Sequence, residues 1–276
     1  MKPTHATITA LHTYPVKSCR GLSLADVKLT MRGLAYDREW MVVDTAGQFL
    51  TQRDLPRMAL IVTSLTLNTL RLTLPGQSES LELSLYDTSL PRCRVRVWQD
   101  DCDAFDEGSA AARQLSEFLG KAVRLVRFDS AHRRHRNPQW TQEMVVENRF
   151  SDGFPVLVLS DESLEALNHR LDVPLPMNRF RPNIVIRGLG PHGEDDVSVL
   201  SGDGFEIHLV KPCVRCRVTA IDQMTTTVGK EPLRTLAVYR RDEALNGITF
   251  GMNGIVISDA HSLLTVGACL NVSPTG

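Results

Sequence analysis

Two cysteines three residues apart, Cys213 and Cys216 in KPCVRCRVTAID, are the residues whose type and spacing most directly suggest chemistry. A thiolate there would be flanked by Lys211, Arg215 and Arg217, and neighbouring cations favour the charged form of a cysteine. One reading is a metal ligand or reactive thiol. The other is a small buried hydrophobe, a frequent role for free cysteine. Structural zinc needs four ligands, and no second Cys/His pair stands at a finger-like interval. A plant-type iron–sulfur cluster needs three closely spaced cysteines and a fourth, a run this chain does not contain.

A second set of residues could grip an anion. Lys17-Ser18, Arg38 in YDREW, and Arg179 and Arg181 in NRFRPN all stand beside turns. Arginine holds phosphate bidentately, and serine or backbone N–H groups can complete the cradle. Taken singly, each is better explained by a surface ion pair. The run Gly188-Leu189-Gly190-Pro191-His192-Gly193 matches G-x-G-x-x-G, but a dinucleotide site needs a helix to begin there. Pro191 and the acidic run Glu194-Asp195-Asp196 follow instead, which predicts a solvated loop. The basic stretch Arg133-Arg134-His135-Arg136 has only Trp140 near it, too little aromatic interleaving for a nucleic-acid surface. It reads as a solvated loop or the rim of an anionic pocket.

The elements that must position these residues are mostly strands. Leu70–Leu74 alternates, Pro75-Gly76 turns, Leu81–Leu85 alternates again, and Cys93–Trp98 does so a third time. This predicts an antiparallel meander with one wet face. Later strands are predicted at Asn183–Ile186, Phe205–Val210, Cys216–Ile221, Ile255–Ile257 and Leu264–Val266. Ala111–Leu119 reads as a helix closed by Gly120, Ser160 as the cap of a helix carrying Leu164, Leu167 and Leu171, and Pro232 as the start of a short third helix. The pattern breaks between Gly120 and Pro138, so two β-rich domains are expected.

A formal net charge of −1 supplies no overall field toward nucleic acid or an anionic membrane. No apolar run is long enough to span a bilayer, and the N-terminus has no secretory apolar region. The six cysteines are too scattered for a disulfide scaffold, so a reducing cytoplasm is the expected setting.

Taken together, YPVKSCRG (14–21), GLAYDREWMVVD (33–44), FPVLVLSDESL (154–164), NRFRPNIVIRG (178–188), KPCVRC (211–216), EPLRTLAVYR (231–240) and FGMNG (250–254) resemble the MOSC family along nearly the whole chain. The resemblance implies a mixed, mainly β fold. Residues 1–122 would form a MOSC N-terminal β-barrel domain, and 123–276 a β-barrel MOSC domain with a few short helices. It implies a pyranopterin molybdenum cofactor with Cys216 as the protein's metal ligand and Cys213 as its neighbour. Lys17, Ser18, Arg38, Gly153, Phe154, Arg181, Asn183 and Arg215 would hold the cofactor, with Asp222 near the metal as a further catalytic residue. The implied activity is reduction of N-hydroxylated nucleobases, amidoximes or hydroxylamines, a role for which thiolate and dithiolene sulfur suit the metal. Electrons would come from a separate reductase, ferredoxin-like protein or cytochrome, because the chain stops after this region without cluster cysteines. The alternative is a non-catalytic molybdenum-cofactor carrier or sulfur-handling protein. Two departures from the family pattern, Val197 and Ala268, bear on the pocket mouth and a turn, and neither touches the proposed ligand.

Overall fold

Strand is the main regular element of this chain, and the burial of its apolar positions decides which sheet each strand joins. In the computed structural model, which describes residues 3–134, 138–141, 146–258 and 262–275, seven strands close into a barrel. In order around the ring they are Val156–Ser160, Ile184–Arg187, His5–Thr13, Cys269–Pro274, Val197–Gly202, Phe205–Val214 and Gly247–Ser258, which returns to Val156–Ser160. Only the first two run parallel. Ile8, Val158, Ile184, Ile186, Leu200 and Ile207, all fully buried, lead its core. Closure leaves the barrel no open edge to pair with another chain.

The strand His5–Thr13 begins the sequence yet sits between Ile184–Arg187 and Cys269–Pro274. It runs antiparallel to Ile184–Arg187, which is parallel to Val156–Ser160. The residues that follow the first strand therefore emerge at the same end of the barrel as the residues that precede the other two. That geometry brings Lys17-Ser18, Gly153-Phe154 and Arg181 toward one place.

Three smaller sheets accompany the barrel, and one of them, Leu263–Thr265, Asp26–Thr30 and Gly33–Leu34, sends Val27, Leu29, Leu34 and Leu264 into the barrel core. Val62–Leu65, Thr69–Thr73 and Leu81–Ser84 form an antiparallel meander whose Leu70, Leu72, Leu81 and Leu83 are buried while Arg71 and Glu82 face water. The predicted third strand of that meander belongs elsewhere: Arg92–Val97 pairs with Asp100–Asp106 in a four-stranded sheet with Arg124–Phe128 and Trp40–Val43. Its buried Val95 and Val97 join a separate core with Met41, Val126 and Phe150.

The helices lie at Ser109–Leu119, Pro138–Thr141, Asp161–Asn168 and Leu233–Tyr239. Gly120 closes the first with φ 68°, the left-handed cap that glycine adopts without a Cβ penalty. Ser160 Oγ accepts the Ser163 N–H at 3.1 Å and caps the third. Among the described residues no helix is long and apolar enough to cross a membrane.

Two expectations are corrected. Cys216–Ile221 is not a strand: Cys216 follows the end of Phe205–Val214 and enters a tight 3-10 turn, Arg217–Ala220. The Cys216 carbonyl accepts both the Thr219 N–H at 3.1 Å and its hydroxyl at 3.0 Å, and Thr219, Ala220 and Ile221 are buried consecutively, which no strand alternation allows. The acidic run is not a solvated loop. Gly193–Asp196 is a 3-10 turn with Glu194 fully buried on Ser160 and Ser163, and Asp195 pairs with Arg240 at 2.6 Å.

Candidate functional site

Beyond Thr13 the first barrel strand turns into Tyr14-Pro15-Val16, where Val16 bridges to Trp40 and the Lys17 N–H donates to the Trp40 carbonyl at 2.8 Å. This join between barrel and four-stranded sheet opens onto a cavity of about 810 Å³. Lys17, Ser18, Arg38, Gly153, Phe154, Arg181, Asn183, Arg215 and Cys216 all line it, as does Cys213. Residues nominated from five separate stretches of sequence thus meet at one wall. Asp222 does not join them. It accepts from the backbone of Met224 and Thr225 at 2.9 and 2.8 Å and pairs with Arg179 at 3.1 Å, fixing the turn behind Cys216. Those hydrogen bonds hold its carboxyl below the ordinary aspartate range.

Three nominated residues, Ser18, Arg38 and Arg181, have positive φ of 68°, 46° and 55°. Side-chain-bearing residues adopt the left-handed region at a cost and concentrate there at functional sites. Arg38 is clamped from below by Asp37, a buried carboxylate 2.6 Å from its Nη1. The Asp37 carboxylate also accepts the Tyr14 N–H at 2.9 Å and the Asn183 amide at 3.0 Å. Tyr14 is stacked by both guanidinium groups, Arg38 at 4.3 Å and Arg181 at 4.2 Å from its ring centroid. Burial pushes the Tyr14 hydroxyl up to about 12, so it stays a neutral donor to the Pro182 carbonyl at 3.0 Å.

Arg181 donates through Nη1 to the Cys19 carbonyl at 2.7 Å, while its buried Nη2 has no partner among the described residues. Burial lowers its pKa to about 10, which still leaves it cationic at neutral pH. Arg215 donates to the Phe180 carbonyl at 2.6 Å and the Cys213 sulfur at 2.9 Å, and its buried Nε has no partner among the described residues. Both side chains line the cavity, so an anion bound there would meet two guanidinium groups. Cys216 is exposed and Cys213 half-buried.

The cavity also holds residues the sequence did not nominate as site residues. Arg53, Trp98 and Asp152 line it, together with Arg134 and Lys211. Lys17 Nζ contacts Asp152 at 2.5 Å and the Phe150 carbonyl at 2.7 Å. Burial lowers the Lys17 pKa. Burial also opposes ionisation of Asp152, yet the Lys17 ammonium and donors from Lys17 and Trp98 hold it well below the carboxylate range. Arg134, in the stretch expected as a solvated loop or the rim of an anionic pocket, is buried and donates to Asp100 at 2.7 Å and the Ser151 carbonyl at 2.6 Å. His135 and Arg136 lie outside the described residues. No sequence signal marked Arg53 or Asp152. Trp98, at the predicted end of a strand, was visible only as a strand residue.

Residues 5–122 match the MOSC N-terminal beta barrel domain and residues 146–268 the MOSC domain. The chain is 37% identical over 247 residues to mitochondrial amidoxime-reducing component 1 of Mus musculus, covering 85% of this chain and 71% of that one. It is 33% identical to mitochondrial amidoxime reducing component 2 of Homo sapiens, covering 85% and 72%. It is 30% identical to molybdenum cofactor sulfurase of Danio rerio, covering 95% of this chain but 34% of that protein. Among solved structures, a solution structure of a Bordetella bronchiseptica protein aligns over 40% of this chain and 92% of that one, at 27% identity and a TM-score of 0.32. The chain therefore belongs to the MOSC family of molybdenum-cofactor-related proteins, with a MOSC N-terminal β-barrel domain followed by a MOSC domain.

Proposed function

We propose that this chain binds a pyranopterin molybdenum cofactor through the Cys216 thiolate and, with it, reduces N-hydroxylated small molecules. The observation that carries the reading is the meeting, in one cavity, of an exposed thiol and the guanidinium side chains of Arg181 and Arg215. A phosphate-bearing ligand suits those groups. Among the described residues no group of three or more His, Cys, Asp or Glu side chains could hold a metal alone, so a metal at Cys216 needs donors from a bound group. Gly153 has open space where a Cβ would stand, leaving its backbone approachable.

In this reading Arg181 and Arg215 anchor the phosphate end, and Ser18 and the Gly153-Phe154 backbone supply neutral donors. Lys17 sets the local field with Asp152. Asn183 and Asp37 orient Arg38, and Asp222 acts only through Arg179 and the turn behind Cys216. When bound, the cofactor supplies two-electron chemistry in which an N–OH group, two electrons and two protons give N–H and water. Substrates are N-hydroxylated nucleobases, amidoximes and hydroxylamines, a reading supported by the amidoxime-reducing relatives. Electrons come from a separate donor protein, a reductase, ferredoxin-like protein or cytochrome, in a cytoplasmic setting.

The test is metal and pterin analysis of wild type, Cys216→Ala and Cys213→Ala, with turnover of benzamidoxime under a chemical reductant. Loss of molybdenum and turnover in Cys216→Ala alone is the expected result. Equal loss in both variants would remove the ligand assignment. One observation favours a carrier or sulfur-handling role: the sulfurase relative matches 95% of this chain. Bound cofactor without turnover would select it.

A further inference from the structure

Trp98 is in an unusual place for its residue type. Val97 pairs with Asp100, so Trp98-Gln99 is the two-residue turn between the strands Arg92–Val97 and Asp100–Asp106. Tight turns of this kind require positive φ at their first central residue, a position suited to Asn, Asp or Gly. Trp98 occupies it with φ 58°. A bulky L-residue is strained there, and the strain serves no core, because the side chain is 44% exposed. What the turn achieves is presentation of an indole on the wall of the cavity that Cys216 also lines.

The indole is held from several sides. Its Nε1 donates to Asp152 at 2.8 Å, the same carboxylate that pairs with Lys17. Phe49 packs against it with ring centroids 5.0 Å apart. The Arg53 guanidinium stacks over it at 4.6 Å. Trp98 and Arg53 thus form an oriented platform of two flat, π-bearing groups beside the open cavity.

We propose that Trp98, with Arg53, is the specificity-determining platform on which planar aromatic and heteroaromatic N-hydroxylated substrates stack. This inference rests on the reductase reading above and adds the substrate class that the site prefers. A flat ring gains stacking on such a platform, whereas a small hydroxylamine has no face to offer.

The test compares kcat/KM for 6-hydroxylaminopurine with kcat/KM for hydroxylamine in the holoenzyme, for wild type, Trp98→Asn and Trp98→Phe. Their ratio is unaffected by cofactor loading, because both substrates meet the same loaded molecules. Trp98→Asn is expected to lower the ratio roughly ten-fold or more, mainly through KM of the purine. Trp98→Phe, which keeps a ring, is expected to preserve most of it. Thermal unfolding supplies the second readout: asparagine suits the turn, so Trp98→Asn should melt no lower than wild type. An unchanged ratio in Trp98→Asn, or a lower melting point with both substrates falling alike, overturns the platform. A loaded wild type that turns over neither substrate overturns the reductase reading instead.

Discussion

Asn183 has no donor or acceptor left for a ligand. Its amide donates to the His12 carbonyl at 3.2 Å and to Asp37 at 3.0 Å, and its oxygen accepts from Arg38 at 3.0 Å and the Leu157 N–H at 3.1 Å. Asparagine offers two donors and one acceptor oxygen with two lone pairs, so the side chain is saturated by the protein. It positions, and Arg38 is what it positions. Asp37 works from the other side, with its carboxylate buried among the Tyr14 N–H, Asn183 and Arg38. Removing one partner of such a buried pair strands the other. Asp37→Ala is expected to lower stability by about 3–5 kcal/mol in urea unfolding. Asp37→Asn, which keeps an acceptor oxygen, should lose less, about 1–3 kcal/mol. Both should retain less molybdenum per folded molecule, because the Arg38 guanidinium is no longer held. Full occupancy in both would show that the orientation of Arg38 does not matter for binding.

The helix Asp161–Asn168 and the 3-10 turn Gly193–Asp196 are joined through a single carboxylate. Glu194 Oε2 accepts from Ser160 Oγ at 2.8 Å and Ser163 Oγ at 2.7 Å, so the side chain that ties the turn also braces the helix cap. Burial raises the Glu194 pKa, with the serine hydrogen bonds working against that rise. Folding therefore favours the protonated form. The contribution of that raised pKa is complete below the ordinary glutamate value of about 4.3 and is lost as pH rises through the elevated folded value. Glu194→Ala should cost about 1–3 kcal/mol by leaving buried hydroxyls without an acceptor. The gap from wild type should be wider near about pH 4.5 than near about pH 8. Urea unfolding at both pH values measures it, and a gap that widens with pH would reverse the sign argued here. None of this was legible in the sequence, where Glu194 stood in a run of three acids that looked solvated. Caps were legible: Ser160 and Gly120 are local signals that local geometry satisfies. The turn after Cys216 was not, since Cys216, Val218 and Ala220 mimic strand alternation while the Cys216 carbonyl closes on Thr219. The same division holds at the site. Cys216, Lys17, Arg38 and Arg181 stand in recognisable runs, whereas Arg53, Trp98 and Asp152 reach the cavity only through tertiary packing.

At the scale of the molecule, the site is expected to depend on barrel closure more than on overall stability. The strand Gly247–Ser258 closes the ring by pairing with both Val156–Ser160 and Phe205–Val214. Just before Val156–Ser160 lie Gly153 and Phe154, and along or just after Phe205–Val214 lie Cys213, Arg215 and Cys216. Gly254 sits opposite both Val156 and Leu209, and a Cβ there would come within 2.9 Å of Ile207 Cγ2 and Val156 Cγ2. Gly254→Val must therefore crowd Val156 and Ile207 in the barrel core between the two site-bearing strands, at about 1–3 kcal/mol for overpacking. A matched loss can be made away from the closing strand. Leu83 is buried in Leu81–Ser84, at the edge of the three-stranded meander, and truncation to alanine there costs about 2–5 kcal/mol. If the barrel alone sets the spacing of thiolate and cations, the two variants separate when both are fully folded at low temperature. Gly254→Val should carry much less molybdenum and pterin per folded molecule, and Leu83→Ala should carry as much as wild type while unfolding at lower urea. Equal loss in both would mean that cofactor retention follows global stability and that closure of the ring has no special part in it.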